Sequence, residues 1–368
     1  MKNSVTLNSL GIALGLAWAG PFCATADTTW ISTSSSTFTT AGNWNNGLPS
    51  TGPQLAIFAD SATVQHTIDI TGTTARNTVG IVFNDFVGGS GFTFGSSANN
   101  SPGFQSRAGG TANGILNNDA NTQTFNLALK LYSSTGTAGA GAAQTLNAAA
   151  GGLVFSGNHP AGRSTIDNNG GQLTVDGAYD VTIGISGATY GDIIGTGGLQ
   201  KNGLGTLTLG GKAANTFSGG VMLNSGKIVA GKANALGTGG LVVTGGSFET
   251  GGLNQSLGTL DLDGDFTLDL GSGSSAVVFG NSSGLDWGSF SLNIVNWTEG
   301  SDSLRFGTDG TGLTASQLAL IHFVGSDDTI AQIDGSGRIS VTPVPEPSSL
   351  ALALLGGLGL LGVRIRRQ

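Results

Sequence analysis

Gly205-Thr206-Leu207-Thr208-Leu209-Gly210-Gly211, Gly226-Lys227-Ile228-Val229-Ala230-Gly231-Lys232 and Gly246-Ser247-Phe248-Glu249-Thr250-Gly251-Gly252 are three versions of one short apolar strand framed by glycines. They start 21 and 20 residues apart. A second set lies between them, Gly219-Gly220-Val221-Met222-Leu223 and Gly239-Gly240-Leu241-Val242-Val243, again 20 residues apart. Two interleaved strand families on one spacing place one turn of chain in each repeat, which is the pattern of an all-β parallel β-helix. Alternate side chains such as Leu207 and Leu209 then point inward, and glycine permits the corners. The competing architecture is a sandwich of hairpins, whose turns also recur roughly every 8–12 residues. The shared period favours the solenoid.

Composition extends this reading to the rest of the chain. Glycine supplies 65 of 368 residues and charged residues only 10%, against norms of about 7% and about 25%. Seventeen phenylalanines and frequent Val, Ile and Leu exclude disorder. Asn46-Gly47, Asn113-Gly114, Asn169-Gly170 and Asn202-Gly203 are turn dipeptides between short apolar runs. The chain therefore reads as nearly all β. One short helix is expected where the capping-box spacing Thr314-Ala315-Ser316-Gln317 precedes Leu318 to Ile321.

The run Gly197-Gly198-Leu199-Gln200-Lys201-Asn202-Gly203-Leu204-Gly205-Thr206-Leu207-Thr208-Leu209, followed by Asn215-Thr216-Phe217-Ser218-Gly219-Gly220 and Asn234-Ala235-Leu236-Gly237, resembles the autotransporter-associated β-strand repeat. The resemblance covers 196–246 and implies a passenger-type, right-handed parallel β-helix on a bacterial exterior. Autotransporters of that family end in a membrane β-barrel, for which there is no room after Gly246. The resemblance thus bears on fold, and that family's secretion route does not carry over.

Both ends of the chain read as addresses. Residues 1–26 have the form of a secretory signal peptide: Lys2, an apolar centre at 10–19, and Ala24-Thr25-Ala26 as the cleavage site. Cleavage after Ala26 removes Cys23, the one cysteine of the chain, so the body must hold together without disulfides. At the other end, Pro343-Val344-Pro345-Glu346-Pro347 makes a stiff, extended stop. An uncharged apolar run at 350–363 follows, and then Arg364, Arg366 and Arg367. Taken as 348–365, the segment makes a helix of about 27 Å at about 1.5 Å per residue, barely a bilayer core. The arginines place its end in the cytoplasm and the body outside. The bland alternative is a buried C-terminal helix, disfavoured because the segment is apolar on every face.

This order of features resembles the PEP-CTERM sorting signal of Gram-negative bacteria, with Pro345, Glu346 and Pro347 as the motif. The resemblance implies secretion machinery and a membrane-embedded, exosortase-type processing enzyme as partners. It also implies an inner-membrane precursor and a destination at the cell surface or its polysaccharide matrix. Removing both ends takes four basic residues and no acid, so 14 basic residues become 10 against 22 acidic ones, a charge of −12. That argues against nucleic acid as a partner.

Little in the body points to chemistry. Gly280-Asn281-Ser282-Ser283-Gly284 has the form of a nucleophile elbow but lacks a following helix. Gly357-Leu358-Gly359-Leu360-Leu361-Gly362 spells a dinucleotide fingerprint inside the sorting helix, with no strand before it. His66, His159 and His322 stand far apart, without metal-ligand spacing. Across 259–270 the odd positions include Asp261, Asp263, Asp265 and Asp269. A continuous strand would put Asp261, Asp263 and Asp265 on one face. The row reads as a solvated face, or more sharply as a weak Ca²⁺ site; no other cofactor is expected. Trp287 and Trp297 would stack on sugar rings if exposed.

The expected organisation is a signal peptide at 1–26, a β cap at 27–110, a solenoid body at 111–342 with its repeat at 196–246, and a sorting tail with a transmembrane helix at 343–368. The expected function is a non-enzymatic structural or adhesive surface protein, with extracellular polysaccharide as a candidate partner. The alternative is a β-helix carbohydrate-active enzyme or carbohydrate-binding protein, which would need acids and bases converging on one groove, or exposed aromatics lining one face.

Overall fold

The computed structural model describes residues 27–343 apart from 50–53, 60–63, 71–75, 79, 85–88, 96–103, 108–113, 133–140, 160–164 and 326–328. The chain winds as a parallel β-solenoid. One wall is a ten-stranded sheet running from Thr28–Thr29 to Leu260–Leu262, and a second is an eleven-stranded sheet from Thr67–Asp69 to Ile321–Phe323. A third side carries a five-stranded sheet early, Arg76–Thr78 to Ile193–Ile194, and a three-stranded one late, Gln255–Ser256 to Ser303–Phe306. Every strand pairing in these four sheets is parallel.

The repeat that decided the fold is this stacking. Thr206–Leu209, Lys227–Ala230 and Ser247–Glu249 are neighbours in the second wall, with Leu207 opposite Ile228 and Ile228 opposite Phe248. Val221–Leu223 and Leu241–Val243 are neighbours in the first, Val221 opposite Leu241. Turns near the N-terminus are longer: Ile81 pairs with Ile115. That pairing also shows that the boundary expected at 110 does not interrupt the stack. Strands Leu55–Ala59 and Gly80–Asn84 already belong to the first wall.

Inward residues form columns along the axis, because a parallel register repeats the same side at every turn about 4.7–4.9 Å on. Phe94, Phe125 and Phe155 are one such column, with ring centroids 4.8 and 4.9 Å apart and nearly parallel planes. Phe58 stacks on Phe83 at 5.4 Å in the facing wall. Where the turns shorten, Ile, Leu and Val take over, as in Val181, Leu207 and Ile228. All of these are buried in one continuous core.

Irregular segments close both ends. At the start, Trp30, Phe38 and Trp44 pack edge-on, with Trp30 to Trp44 5.2 Å apart and Phe38 to Trp44 4.9 Å. Each indole N–H donates to a carbonyl, Gln65 O and Phe38 O respectively. These three side chains cover the first turn, whereas Phe58, Phe83 and Phe94, within the span 27–110 expected as a cap, already belong to the walls. At the far end the short helix forms at Ala315–Leu318 with Thr314 and Gln317 making the capping box. An antiparallel hairpin, Thr329–Ile333 with Ile339–Pro343, follows and buries Ala331 and Ile339.

Candidate functional site

At corners of the third side, and in the turns between Ile193–Ile194 and Gln255–Ser256 that have no strand there, backbone groups need other partners. Interior amides supply them. Asn168 both donates to Gly197 O and accepts from Gly197 N, at 2.8 and 3.1 Å. Asn215 accepts from Ile193 N at 2.8 Å and donates to Ala235 O. Gln255 accepts from Ala235 N at 2.8 Å and donates to Lys232 O at 3.0 Å. All three amides are buried and satisfied, which is the condition for keeping polar groups in a core.

Two lysines are buried along the same turns, one in the first wall and one just after a strand of the second. Lys201 stands in the inward column between Val175 and Leu223, 1% exposed. Its ammonium donates to Gly203 O at the corner and to Ser225 O at 3.4 Å on the next turn. The same corner needs Gly226 in the left-handed region (φ +73°), where a Cβ would meet Gly203 O at 2.4 Å. Lys232 bridges Gly191 O and Ala213 O at 2.7 and 2.8 Å. Burial lowers both from about 10.5 to about 8, against the opposing pull of Asp176 and Asp180 on Lys201 and of Asp192 on Lys232. Sequence reasoning missed both. The signal for Lys201 was available, since alternation in Leu199-Gln200-Lys201 puts it on the inward side with Leu199.

The aspartate row is broken. Leu260–Leu262 lies in the first wall and Phe266–Asp269 in the second, with a turn between them. Asp261, Asp263 and Asp265 therefore do not share one strand face: Asp261 sits outward opposite Val242, while Asp263 and Asp265 are exposed, and Asp265 accepts from Ser291 N at 2.9 Å. The alternation was real, but Gly264 turns a corner in it. Asp261 still feels a neighbour, its carboxyl raised above the usual range by burial and then by Asp263. Among the described residues no group of three or more His, Cys, Asp or Glu side chains is placed to hold a metal ion.

The remaining motifs resolve into structure. Ser282, the centre of the elbow-like pentapeptide, is fully buried; it accepts from Leu260 N at 2.9 Å and donates to Gly280 O at 3.1 Å. Trp287 is 1% exposed and donates to Leu260 O at 3.1 Å, so it presents no stacking face. Together the two side chains satisfy Leu260 on the last strand of the first wall, where a further strand would otherwise pair. Trp297 is half-buried, edge-on to Phe323 at 5.1 Å, and donates to Glu299 at 3.0 Å. His66 packs on Phe92, His159 stacks on Tyr190, and His322 faces outward. They lie on separate turns.

The sorting motif Pro345, Glu346 and Pro347, the basic residues Arg364, Arg366 and Arg367, the glycine-rich hexapeptide at 357–362 and the cleavage site at Ala26 all lie outside the described residues. What the structure shows is the two points from which those segments leave. Asp27 is tied down, its carboxylate accepting from Leu55 N at 3.1 Å and its carbonyl from Asn46 at 2.8 Å. At the other end Pro343 is the last residue of the closing hairpin. Among the described residues no helix is long and apolar enough to cross a membrane; the span expected at 348–365 is not among them.

A stretch of 150 residues is 29% identical to the Adhesin BmaC autotransporter of Brucella suis biovar 1 (strain 1330), covering 37% of this chain and 4% of that protein. The chain thus spans a small fraction of that relative's length. No solved structure matches. Residues 343–367 match the model of the PEP-CTERM protein-sorting motif. The chain carries the features of a PEP-CTERM sorting motif directly behind a closed parallel β-solenoid.

Proposed function

We propose that the protein is an exported, non-enzymatic surface or matrix component: a solenoid rod with a structural or adhesive role, delivered by exosortase-type processing of its tail. The observation that carries this is the sorting motif at 343–367, which begins at Pro343, the last residue of the closing hairpin. The adhesin-like stretch supports the adhesive side of the reading. In the same reading the solenoid winds right-handed, as parallel crossovers within one sheet nearly always do. The apolar segment at 348–365 spans the inner membrane in the precursor, with Arg364, Arg366 and Arg367 inside. Extracellular polysaccharide is the candidate partner of the mature rod.

Fractionation of cells tests the route. Deleting 348–368 should send the body to the periplasm or medium with its fold intact, because no solenoid strand is lost. Replacing Pro345, Glu346 and Pro347 with alanine should leave uncleaved precursor in the inner membrane. Normal surface delivery of the altered motif would reduce the tail to a plain anchor and overturn the sorting assignment.

A further inference from the structure

Few residues of sequence separate the closing hairpin from the apolar segment. Pro343 is paired with Thr329 in the hairpin, and Leu350 opens the uncharged run seven residues later. Seven extended residues reach at most about 25 Å. The headgroup layer takes up roughly 5–8 Å of that on one side of a bilayer. The gap left between hairpin and membrane surface is therefore no more than about 20 Å. The rod itself is longer, since eleven stacked strands at about 4.8 Å extend about 48 Å.

Two residues near this exit, in a stretch whose sequence also carries Asp327 and Asp328, are apolar and exposed. Ile330, opposite Thr342 and next to the pair that ends the hairpin, is 49% exposed. Val324, just after the last strand of the second wall, is 60% exposed. That strand packs against Thr329–Ile333, which places both residues at the same end of the rod. The hairpin's charged turn, with Asp334 and Arg338, lies at its opposite, closed end.

We infer that in the membrane-anchored precursor the short tether holds the open end of this hairpin, with Ile330 and Val324, against the outer surface of the inner membrane. The rod stands on its C-terminal end with the aromatic cap distal. This rests on the anchoring reading above. It makes the processing enzyme work in a narrow gap under the hairpin.

The signal-cleaved chain 27–368, which has no cysteine of its own, with a bimane label on Ile330→Cys or on Ile31→Cys in the N-terminal cap, would be reconstituted into phosphatidylcholine–phosphatidylglycerol vesicles with a headgroup-attached spin-label quencher. Label 330 should be quenched at least threefold more than label 31, which belongs about 45 Å farther out. Inserting a 20-residue Gly-Ser linker between Pro343 and Val344 should bring label 330 down toward label 31 while the chain stays on the vesicles. Equal quenching at the two labels, or quenching at 330 that the linker leaves unchanged, overturns the inference. A chain that does not float with the vesicles removes the anchor itself, a distinguishable failure.

Discussion

The buried lysines give the solenoid a stability that should rise with alkalinity. Lys201 titrates near 8 in the folded wall and near 10.5 once exposed. Between those values the unfolded chain binds more protons than the folded one, so unfolding free energy increases with pH across the window. Below about 8 the full cost of burying the ammonium is present; above about 10.5 it is gone. The difference corresponds to about 3 kcal/mol for Lys201, and Lys232, also near 8, should act in the same direction. Urea unfolding of the wild-type body and of Lys201→Met, followed by circular dichroism from pH 7 to 10.5, isolates the effect, because every other titration cancels in the difference. Wild type should gain on the variant by up to about 3 kcal/mol over that range, and the Lys232→Met comparison should behave alike. A flat difference would mean that the carbonyls of Gly203 and Ser225 hold the ammonium as well as water does, and the reasoning from burial would fail.

Phe125→Ala empties the middle of the Phe94–Phe125–Phe155 column and should cost about 3–5 kcal/mol in the same assay, whereas Phe290→Ala, at an exposed position, should stay within about 0.5 kcal/mol. Ser282→Ala leaves Leu260 N without its partner and should cost about 1–3 kcal/mol; a loss of some hydrolytic activity with stability unchanged would contradict its structural role. Asp261 has a raised folded pKa, so its contribution turns unfavourable as pH rises through the carboxylate range. Asp261→Asn should therefore be neutral or stabilising at pH 7, with any gain vanishing toward pH 3. Calcium and sodium chloride at equal ionic strength should raise the melting temperature equally; a calcium-specific rise lost on changing Asp261, Asp263 and Asp265 to Asn would restore the cation site.

The solenoid was legible because its signal is local and repeated. The strand families at 205–252 carry their spacing and their alternation in the residues themselves, and a parallel stack only has to lay each copy on the last. The capping box at Thr314 and Gln317 was legible for the same reason, as both partners lie within one turn of chain. The sorting tail is a linear address and needs no fold to be read. Corners and burial depended on tertiary structure. Alternation through 259–270 looked like one strand, and only the stacking of Leu260–Leu262 on one wall and Phe266–Asp269 on another dispersed its aspartates. Trp287 and Ser282 took their partners from Leu260, more than 20 residues away. Lys201 lies in the core because its neighbours in the register, Val175 and Leu223, come from the turns before and after. A side chain's environment in a solenoid is set mostly by residues one turn away, and pairings at that distance form only when the chain has wound.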